Sequence, residues 1–538
     1  MEALGERGTI RKKWKGRIPC ACAYPNTYYV GMSNLAIHVI YRLLNGLDTF
    51  LCERVFLSER IVSVESGRPL GSFEIVFFSL SFELDYPNVI RMLEAARIQV
   101  SAIERREGPL IVAGGICAIM NPEPLHDIFD LFILGDAEAT LLEFAKRYEE
   151  LRGREREEII DGLSELPYVY NPRRLSVAYS DSGLIEGFSP SSFSVEVKGY
   201  NGERLATSQI VTEDTEFSSM YLAEGVRGCP SRCPFCLTGH LHEFVYEPSL
   251  PPSSEQDIGI VGGGVSFHPH LYELVASLKR MGKRVHLPSL RLDAIPLSVI
   301  ALLKDDIRTL AFGVEAGTER LRRFIGKPLK DEDILERLSN VFSIGPFNVK
   351  LYFMVGLHGE QKDDVEAIVD LTKRVRHVMV RECAKRGKIG TITVHVSPFV
   401  PKPQTPFQWL AMEEETELKR KVQYLERAVG RIGNAILTHE SIKYSFIQAL
   451  FSRGDRRVAG IVKEIARGRT LKEIRRESPL NPSFYVTRAR DEGEILPWDF
   501  ISPGRKERLL AELKRRLSGP DILSASRKGL APAGQAEP

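Results

Sequence analysis

The sequence has no long apolar stretch and almost no net charge. None of its apolar runs approaches the roughly 18 residues that a membrane-spanning helix needs. Its 73 Lys and Arg nearly balance 71 Asp and Glu, so the formal net charge is +2, which argues against binding of nucleic acid through overall charge. Met1 to Arg17 is basic but has no apolar core, so we expect no secretory signal and a cytoplasmic protein.

Cysteine is also scarce, with eight in 538 residues, and that number is too small for a disulfide framework. Three of the cysteines are crowded together: Cys229, Cys233 and Cys236. The other five are scattered: Cys20, Cys22, Cys52, Cys117 and Cys383. Crowded cysteines in an intracellular chain indicate metal or redox chemistry.

The sequence does contain a regular alternation of apolar strand patterns and helical patterns. In residues 1–152, apolar runs such as 74–82 and 110–118 alternate with helical periodicity, which predicts an α/β fold with a doubly wound, Rossmann-like parallel sheet of about five strands. In such sheets, ligands bind beyond the carboxyl ends of the strands. Those ends include Gly114-Gly115 and Gly135-Asp136, where glycine lets a ligand approach the backbone.

The rest of the chain divides into four segments. Residues 153–217 are polar and predict a connector with a few short strands, at 194–200 and 205–211. Residues 218–412 contain six strand patterns separated by five helical patterns, too few for an eight-fold barrel, and predict a partial (β/α)6 barrel. Residues 413–520 predict a mainly helical region, and we expect 521–538, rich in Ala, Gly, Pro and Ser, to be disordered.

The helical region is more basic than the rest of the chain. Between residues 451 and 520 there are 17 Lys and Arg against 10 Asp and Glu, a local net charge of +7. Such a region is either a set of solvated helix faces or a surface for an acidic partner. The segment Ser452 to Arg457 is expected either to close the barrel mouth or contact substrate, or simply to cap a helix.

The three crowded cysteines have the spacing C-x3-C-x2-C and lie on one loop, directly after the first strand of the second series. Three thiolates on a short loop can bind three irons of a 4Fe–4S cluster and leave the fourth iron open to a small ligand. The alternative is a structural zinc site, which needs a fourth ligand, and His240 or His242 could supply it. The strand context favours the cluster.

Together with this loop, the strand ends of the second series resemble those of the radical S-adenosylmethionine (SAM) enzymes. The segments that carry the resemblance are Gly262-Gly263-Gly264, Pro288 to Arg291, Gly313 to Arg320, Gly356 to Glu360 and Ser397 to Phe407. Two positions depart from the family pattern: Gly264 stands where Glu is common, and His358 where Pro is usual.

The resemblance implies a set of cofactors and residue roles. Cys229, Cys233 and Cys236 would ligate the 4Fe–4S cluster, and the cluster would cleave SAM reductively to a 5′-deoxyadenosyl radical. The expected SAM contacts are Gly262, Gly263, Arg291 and Glu315. A low-potential ferredoxin or flavodoxin is the expected electron donor.

The N-terminal segment resembles the cobalamin-binding domains that accompany one branch of these enzymes. The resemblance rests on Tyr24 to Leu35, Ser79 to Glu83, Gly114-Gly115 and Gly135 to Glu138. It implies cobalamin contacts at Tyr28, Ser81, Gly114 and Gly135. The D-x-H-x-x-G signature that supplies a histidine to cobalt is absent, so we expect no cobalt ligand from such a motif. The alternative is a degenerate domain that binds no corrin.

The resemblance therefore implies a methyltransferase that C-methylates an unactivated carbon with SAM and cobalamin. Its substrate is unknown, and a protein or peptide residue such as glutamine is conceivable. The alternative is a radical SAM enzyme of another reaction type, a rearrangement or an oxidation, with a degenerate cobalamin domain. A third hypothesis is a non-catalytic iron–sulfur or RNA-binding protein that uses the basic C-terminal helices, and the intact SAM-contact segments argue against it.

Overall fold

The computed structural model describes residues 5–202, 204–250 and 253–519. Its N-terminal part is a sheet with six strands: β1 Ile18–Tyr24, β2 Phe50–Phe56, β3 Ile75–Ser79, β4 Leu110–Gly114, β5 Leu131–Ile133 and β6 Val169–Tyr170. Their order across the sheet is β2-β1-β3-β4-β5-β6. The strands β1 to β5 are parallel, and β6 pairs antiparallel with β5. This order places the carboxyl ends of β3, β4 and β5 side by side.

Helices cover both faces of this sheet, because its strands are apolar on both sides. The helices are α1 Tyr28–Met32, α2 Leu35–Gly46, α3 Tyr86–Ala95, α4 Ile116–Met120, α5 Ala137–Leu151 and α6 Arg156–Leu163. The helices α2 and α5 share one apolar cluster with one face of the sheet, and α3 joins the cluster on the opposite face. This arrangement is the predicted doubly wound sheet, with α6 and β6 continuing it beyond residue 152.

The connector differs from its prediction. The predicted short strands at 194–200 and 205–211 form only isolated bridges, whereas β7 Ser176–Tyr179 and β8 Ile185–Ser189 form a hairpin. The bridges link Lys198 to Gly135 of the N-terminal sheet and Thr207 to Ala223 of the second series. Residues 195–211 therefore join two sheets through isolated bridges. Such bridges explain why the sequence is strand-like although the segment forms no regular strand.

The second series begins with a short sheet and continues into a longer one. Its strands are β9 Met220–Glu224, β10 Val226–Arg227, β11 Val245–Tyr246, β12 Asp257–Val261, β13 Arg284–His286, β14 Thr309–Glu315, β15 Asn348–Val355, β16 Ile392–Pro398 and β17 Ala435–His439. One parallel sheet has the order β13-β12-β9 and the other the order β14-β15-β16-β17. A single bridge from Leu290 to Phe312 joins them, and β10 pairs with β11 in a small hairpin.

The barrel therefore has seven parallel strands among the described residues, where the sequence predicted six. The additional strand β17 lies in the segment 413–520 that was predicted to be mainly helical. Its side chains are mostly exposed because it is an edge strand, paired only with β16, so it lacks the apolar run that marks the other strands. The fold class itself, a doubly wound sheet followed by an open parallel barrel and a helical C-terminal region, is confirmed.

The remaining helices fill the barrel exterior and the C-terminal region. They are α7 Thr238–Leu241, α8 Leu271–Arg280, α9 Leu297–Leu303, α10 Glu319–Phe324, α11 Asp331–Ile344, α12 Lys362–Cys383, α13 Glu415–Val429, α14 Ile442–Arg453, α15 Ala459–Ala466, α16 Leu471–Glu477, α17 Pro482–Val486 and α18 Lys506–Leu517. None of the described helices combines the length and the apolar character of a membrane crossing. The tail 521–538, predicted to be disordered, lies outside the described residues.

Buried polar contacts join the N-terminal sheet to the barrel. Glu83, just after β3, is fully buried and pairs with Lys402, which follows the sixth barrel strand. Gln448 of α14 donates a hydrogen bond to the second carboxylate oxygen of Glu83 at 3.0 Å. Tyr86 stacks on Phe451 with ring centroids 5.7 Å apart. These contacts hold the carboxyl edge of the sheet against the barrel mouth.

Candidate active site

The cysteine loop is enclosed by the small hairpin of β10 and β11. Gly228, which begins the loop, has φ of +75°, and a Cβ there would lie 2.5 Å from the carbonyl oxygen of Glu243. Only glycine therefore lets the two ends of the loop approach each other. Further along the loop, the backbone N–H of Cys236 donates to the carbonyl of Cys233 at 3.0 Å and forms a tight turn. The local sequence thus brings the three thiols onto one short, well-defined loop.

The middle thiol is the most buried of the three. Burial raises the pKa of Cys233 to about 11, while the positive charges of Lys327 and Arg291 act to lower it. Arg291 Nη1 donates a hydrogen bond to the sulfur of Cys233 at 3.7 Å. These cations would favour the thiolate form, which is the form that binds metal.

The zinc alternative is not supported by the histidines. His240 Nε2 lies 3.1 Å from the backbone oxygen of Cys233, and His242 Nδ1 lies 3.5 Å from a carboxylate oxygen of Asp136. Among the described residues, no three Cys, His, Asp or Glu side chains converge on a point where they could hold a single ion. Three thiols that each bind a different iron of a cluster do not need to converge in that way.

A strained glutamate stands at the end of β14. Glu315 has φ of +71°, in the left-handed region that costs a non-glycine residue about 1–2 kcal/mol, and the pairing of β14 with β15 shifts between Gly313 and Glu315. Lys327 holds the carboxylate at 2.6 Å and also donates to the Gly313 carbonyl at 3.0 Å. A Cβ at Gly313 would lie 2.3 Å from Glu315 Oε1, so glycine makes room for this ion pair. Backbone strain that is held by surrounding contacts is typical of functional sites.

Lys327 is a residue that the sequence reasoning missed. It is buried, pairs with the predicted SAM contact Glu315, and its charge also acts on the predicted cluster ligand Cys233. It follows α10 at Gly326, whose φ is +78°, in a segment without a family pattern. The one feature of the local sequence that could have drawn attention to Lys327 is its position directly between a turn glycine, Gly326, and Pro328.

The other predicted SAM contacts lie beside the loop. Gly262 has φ of +143°, and a Cβ there would lie 2.4 Å from the Val226 carbonyl, so β10 and the end of β12 approach closely only through this glycine. Gly263 packs against Thr238. Asp293 binds Arg291 through Nε at 2.9 Å and Nη2 at 2.6 Å, which leaves Nη1 directed at the cysteine loop. The contact of Arg291 with SAM stays a prediction.

A cavity of about 440 Å³ lies between the N-terminal sheet and the barrel mouth. Five of the predicted cofactor contacts line it: Ser81, Gly114, Gly135, Gly262 and Gly263. Tyr28 does not. It donates to the carboxylate of Glu6 and packs edge-on against Phe56. The structure therefore brings residues of both predicted groups together in one space but leaves Tyr28, Arg291 and Glu315 outside its lining.

The half of the cavity below the strand ends is apolar. It is lined by side chains of α2, α5 and the strands between them: Leu35, Ala36, Val39, Ile40, Phe77, Ile133, Ala137 and Leu141. Ser79 also belongs to the lining of this cavity, and its buried hydroxyl has no hydrogen-bond partner among the described residues. A buried hydroxyl without a partner costs about 1–3 kcal/mol unless a ligand satisfies it.

The glycines at the strand ends serve different purposes. At Gly114 the nearest atom to an added Cβ would be the Ile133 carbonyl oxygen at 3.6 Å, so the packing of the protein does not require glycine there. At Gly135 an added Cβ would lie 2.4 Å from the carbonyl of Lys198, so the connector requires glycine. Gly114 is therefore the position where glycine keeps cavity space open.

An ionic cluster closes the opposite side of the cavity. Arg227, just before the cysteine loop, pairs with Glu224 at 2.7 Å and with Glu138 at 2.8 Å, and lies 3.4 Å from Asp136. Its Nη1 has no hydrogen-bond partner in the described residues. Burial opposes the charge of Arg227, but the surrounding carboxylates raise its pKa. The sequence alone assigns no role to Arg227 or Glu138, because their contact joins two distant segments.

The segment Ser452 to Arg457 is a joint between the two halves of the molecule. Asn121 Nδ2 donates to the carbonyls of Ser452 at 3.0 Å and Gly454 at 2.7 Å. Arg456 donates to Glu123 at 2.8 Å. These contacts support a structural role for this segment at the end of α14.

Comparison with known proteins gives two family matches. A model described as radical SAM proteins, N-terminal, matches residues 36–172, and a model of the radical SAM superfamily matches residues 224–372. An uncharacterized protein of Methanocaldococcus jannaschii is 27% identical over 448 residues, which are 81% of this chain and 88% of that protein.

Solved structures of one enzyme also match. The cobalamin-dependent S-adenosylmethionine radical enzyme OxsB, with aqua-cobalamin and S-adenosylmethionine bound, covers 95% of this chain and 83% of its own at 12% identity and a TM-score of 0.47. OxsB with aqua-cobalamin covers 66% of this chain at 13% identity and a TM-score of 0.45, and this chain spans about half (52%) of that one.

Proposed function

Since the chain belongs to the radical SAM superfamily, we propose that it is a cobalamin-dependent radical SAM enzyme that C-methylates an unactivated carbon of its substrate. The cavity of about 440 Å³ carries this proposal, because its lining joins Ser81 and Gly114 to Gly262 and Gly263 at the barrel mouth. Two cofactors that act on one carbon must be bound around one space from which water is excluded. A protein or peptide residue such as glutamine is one substrate class that the sequence resemblance admits.

The residues on the cysteine loop fit a 4Fe–4S cluster. Cys229, Cys233 and Cys236 would hold it, and Arg291 and Lys327 would offset the negative charge of the thiolates. When bound, the cluster supplies the electron that cleaves SAM reductively. Gly262 and Gly263 would offer backbone groups to the SAM amine, and the Glu315 carboxylate, held in place by Lys327, would accept a hydrogen bond from it. A ferredoxin or flavodoxin is the proposed electron donor.

The residues at the strand ends fit cobalamin. The apolar half of the cavity, between α2 and α5, would accept its nucleotide tail, Ser79 would gain the hydrogen-bond partner it lacks, and the absence of a side chain at Gly114 would leave room for the ligand at the strand ends. When bound, cobalamin supplies the methyl group. Arg227 and the carboxylates around it would keep the opposite wall of the cavity fixed. We propose the same binding edge for Ser81 and Gly135.

The alternative function is a radical SAM reaction without methyl transfer, in which the N-terminal sheet binds no corrin. Uptake of hydroxocobalamin separates the two. We expect anaerobically purified protein to bind one equivalent, measured by visible absorption after gel filtration. Gly114→Val should weaken this binding at least tenfold because the valine side chain fills the cavity, while iron content and SAM cleavage persist.

Two further variants complete the test. Gly187→Val, at a glycine of β8 with no atom near its Cβ position, should bind cobalamin as the wild type does. Cys233→Ala should lose the iron–sulfur absorption and SAM cleavage together. Wild-type protein that cleaves SAM but takes up no cobalamin would establish the alternative, and a Cys233→Ala variant that still cleaves SAM would refute the cluster assignment.

A further inference from the structure

A basic groove lies on the surface beside the cysteine loop. Its cavity of about 290 Å³ is lined by Arg232, His240, Arg508, Leu509, Ala511, Glu512 and Arg515. Arg232 belongs to the loop, between Cys229 and Cys233, and the other basic side chains except His240 come from α18. The groove is thus built from the loop that is predicted to hold the cluster and from the most C-terminal helix that the structure describes.

The helix is fixed against the cluster region by several contacts. Leu509 and Leu513 are buried, and Arg516 Nη1 donates to the Phe324 carbonyl at 2.9 Å. The helix also packs on the turn Pro406–Trp409, whose Phe407 N–H donates to the carbonyl of Pro234 in the cysteine loop at 3.1 Å. The position of α18 beside the loop is therefore part of the fold.

The arginines of the groove are not neutralised by the protein. Arg232 and Arg508 are exposed and form no ion pair among the described residues. Arg515 lies 3.8 Å from Glu512, but that carboxylate is bound more closely by Arg516 at 3.1 Å. Arg505, half-buried at the start of the same helix, has no hydrogen-bond partner for its Nη1 among the described residues, and burial together with the charge of Arg508 lowers its pKa. Exposed unpaired charges of one sign attract a partner of the opposite sign.

We propose that the basic groove is the docking surface of an acidic one-electron carrier protein of the ferredoxin or flavodoxin type. The inference rests on the proposed function, because only a redox cluster on this loop gives the carrier an acceptor. One electron leaves the reduced carrier, which dissociates oxidised by one electron. SAM is the final acceptor, and its C5′–S bond breaks to give methionine and a 5′-deoxyadenosyl radical.

The location and the charge both favour this partner. The groove includes Arg232, the residue next to Cys233. A protein docked there would therefore contact the same short loop that carries the three thiols. The C-terminal segment 520–538 is a second conceivable occupant, but it contains two acidic and two basic residues and offers no net negative charge. An acidic carrier complements the groove, and such complementarity mainly sets the association rate and its dependence on salt.

The test compares two double charge reversals. Arg508→Glu with Arg515→Glu should weaken the binding of purified flavodoxin and ferredoxin at least tenfold at low salt, as measured by calorimetry, and should remove most of the salt dependence. SAM cleavage driven by the carrier should fall by a similar factor, whereas cleavage driven by dithionite should not change. The control is Lys419→Glu, in α13, with Arg431→Glu, two residues beyond its end; both positions are exposed and form no ion pair among the described residues.

The outcomes distinguish this proposal from the proposed function. Carrier affinity that the Arg508 and Arg515 reversals leave unchanged, or that the control lowers equally, would overturn the docking surface. So would a groove that binds single-stranded RNA and neither carrier, with RNA binding lost in the double variant. Wild-type protein that cleaves no SAM even with dithionite would instead refute the proposed function.

Discussion

At the scale of single residues, the candidate site contains an unfavourable backbone conformation that an ion pair holds in place. Glu315 adopts an unfavourable backbone conformation, and Lys327 holds its carboxylate at 2.6 Å. The sequence indicated Glu315 because a contiguous pattern surrounds it. It did not indicate Lys327, because no local pattern relates a lysine after α10 to a strand end or to Cys233. Contacts of this kind depend on how the chain folds back and cannot be recognised from neighbouring residues.

Asp85 offers a test of burial at this scale. Burial raises its pKa to about 6, against the lowering effect of hydrogen bonds from Asn26 and Asn88. The folded state therefore binds a proton more tightly than the unfolded state, whose pKa is 3.8. The stability that this proton contributes is complete below pH 3.8 and is lost as the pH rises through about 6.

Asp85→Asn should therefore stabilise the protein above pH 6, by about 2 kcal/mol at pH 8, and have little effect near pH 4. Urea unfolding across this pH range measures the difference. Asp181→Asn, in the exposed turn between β7 and β8, is the control and should leave the pH profile unchanged. A stabilisation that does not depend on pH would contradict the assignment to a titrating carboxylate.

At the scale of elements, apolar runs in the sequence predicted buried strands. The edge strand β17 was not predicted, because its exposed side chains form no apolar run. The strands β1, β2 and β3 are buried along their whole length, and β1 and β3 appear in the sequence as apolar runs, whereas β2 carries the buried charged residues Glu53 and Arg54. The edge strand β17 has no such run, because only one of its neighbours is a strand and most of its side chains are exposed. Its pairing with β16 follows from proximity in the fold, which the sequence pattern does not encode.

The joint between α14 and the N-terminal sheet can be tested by removing one side chain. Arg456 donates to Glu123 at 2.8 Å and to the Leu175 carbonyl at 2.8 Å, and Glu123 is fully buried. Among the described residues, Arg456→Ala leaves the Tyr170 hydroxyl as the one remaining side-chain donor to this carboxylate. We expect a loss of about 3 kcal/mol in the free energy of unfolding, since a buried charge loses its partner.

Denaturant unfolding measures this loss. The control is Arg467→Ala, because Arg467 is 62% exposed and pairs with Glu94 only at 3.3 Å, so its removal should cost well under about 1 kcal/mol. Equal losses in the two variants would show that the Glu123 contact does not stabilise the joint.

At the scale of the whole molecule, the proposed cofactor space exists only because two sheets meet. The cavity is lined from both sides, and its closure depends on the connector, the Arg227 cluster and the buried pair of Glu83 and Lys402. Burial opposes the charge of Glu83, but Lys402 lowers its pKa below the usual range. The two partners are 319 residues apart in the chain, which is why neither could be assigned a role from the sequence.

A double-mutant cycle tests this pair. Lys402→Met should destabilise the protein by about 3–5 kcal/mol, because Glu83 is then buried without a cation. Adding Glu83→Gln should recover most of that loss, because an amide at this position no longer needs a counter-ion. Chemical unfolding of the two single variants and the double variant measures the coupling. Additive losses would show that the two side chains stabilise the interface independently.

The sequence by itself determined the parts of this protein that depend on neighbouring residues. The cysteine spacing and glycine-rich strand ends are contiguous, so they predicted the cluster loop, and the alternation of strands and helices predicted the parallel sheets. The tertiary structure decided which of these parts face one another. It placed Lys327 beside Glu315, Arg227 between two sheets and α18 beside the cysteine loop, because such contacts join residues distant in the chain and depend on packing that no local pattern records.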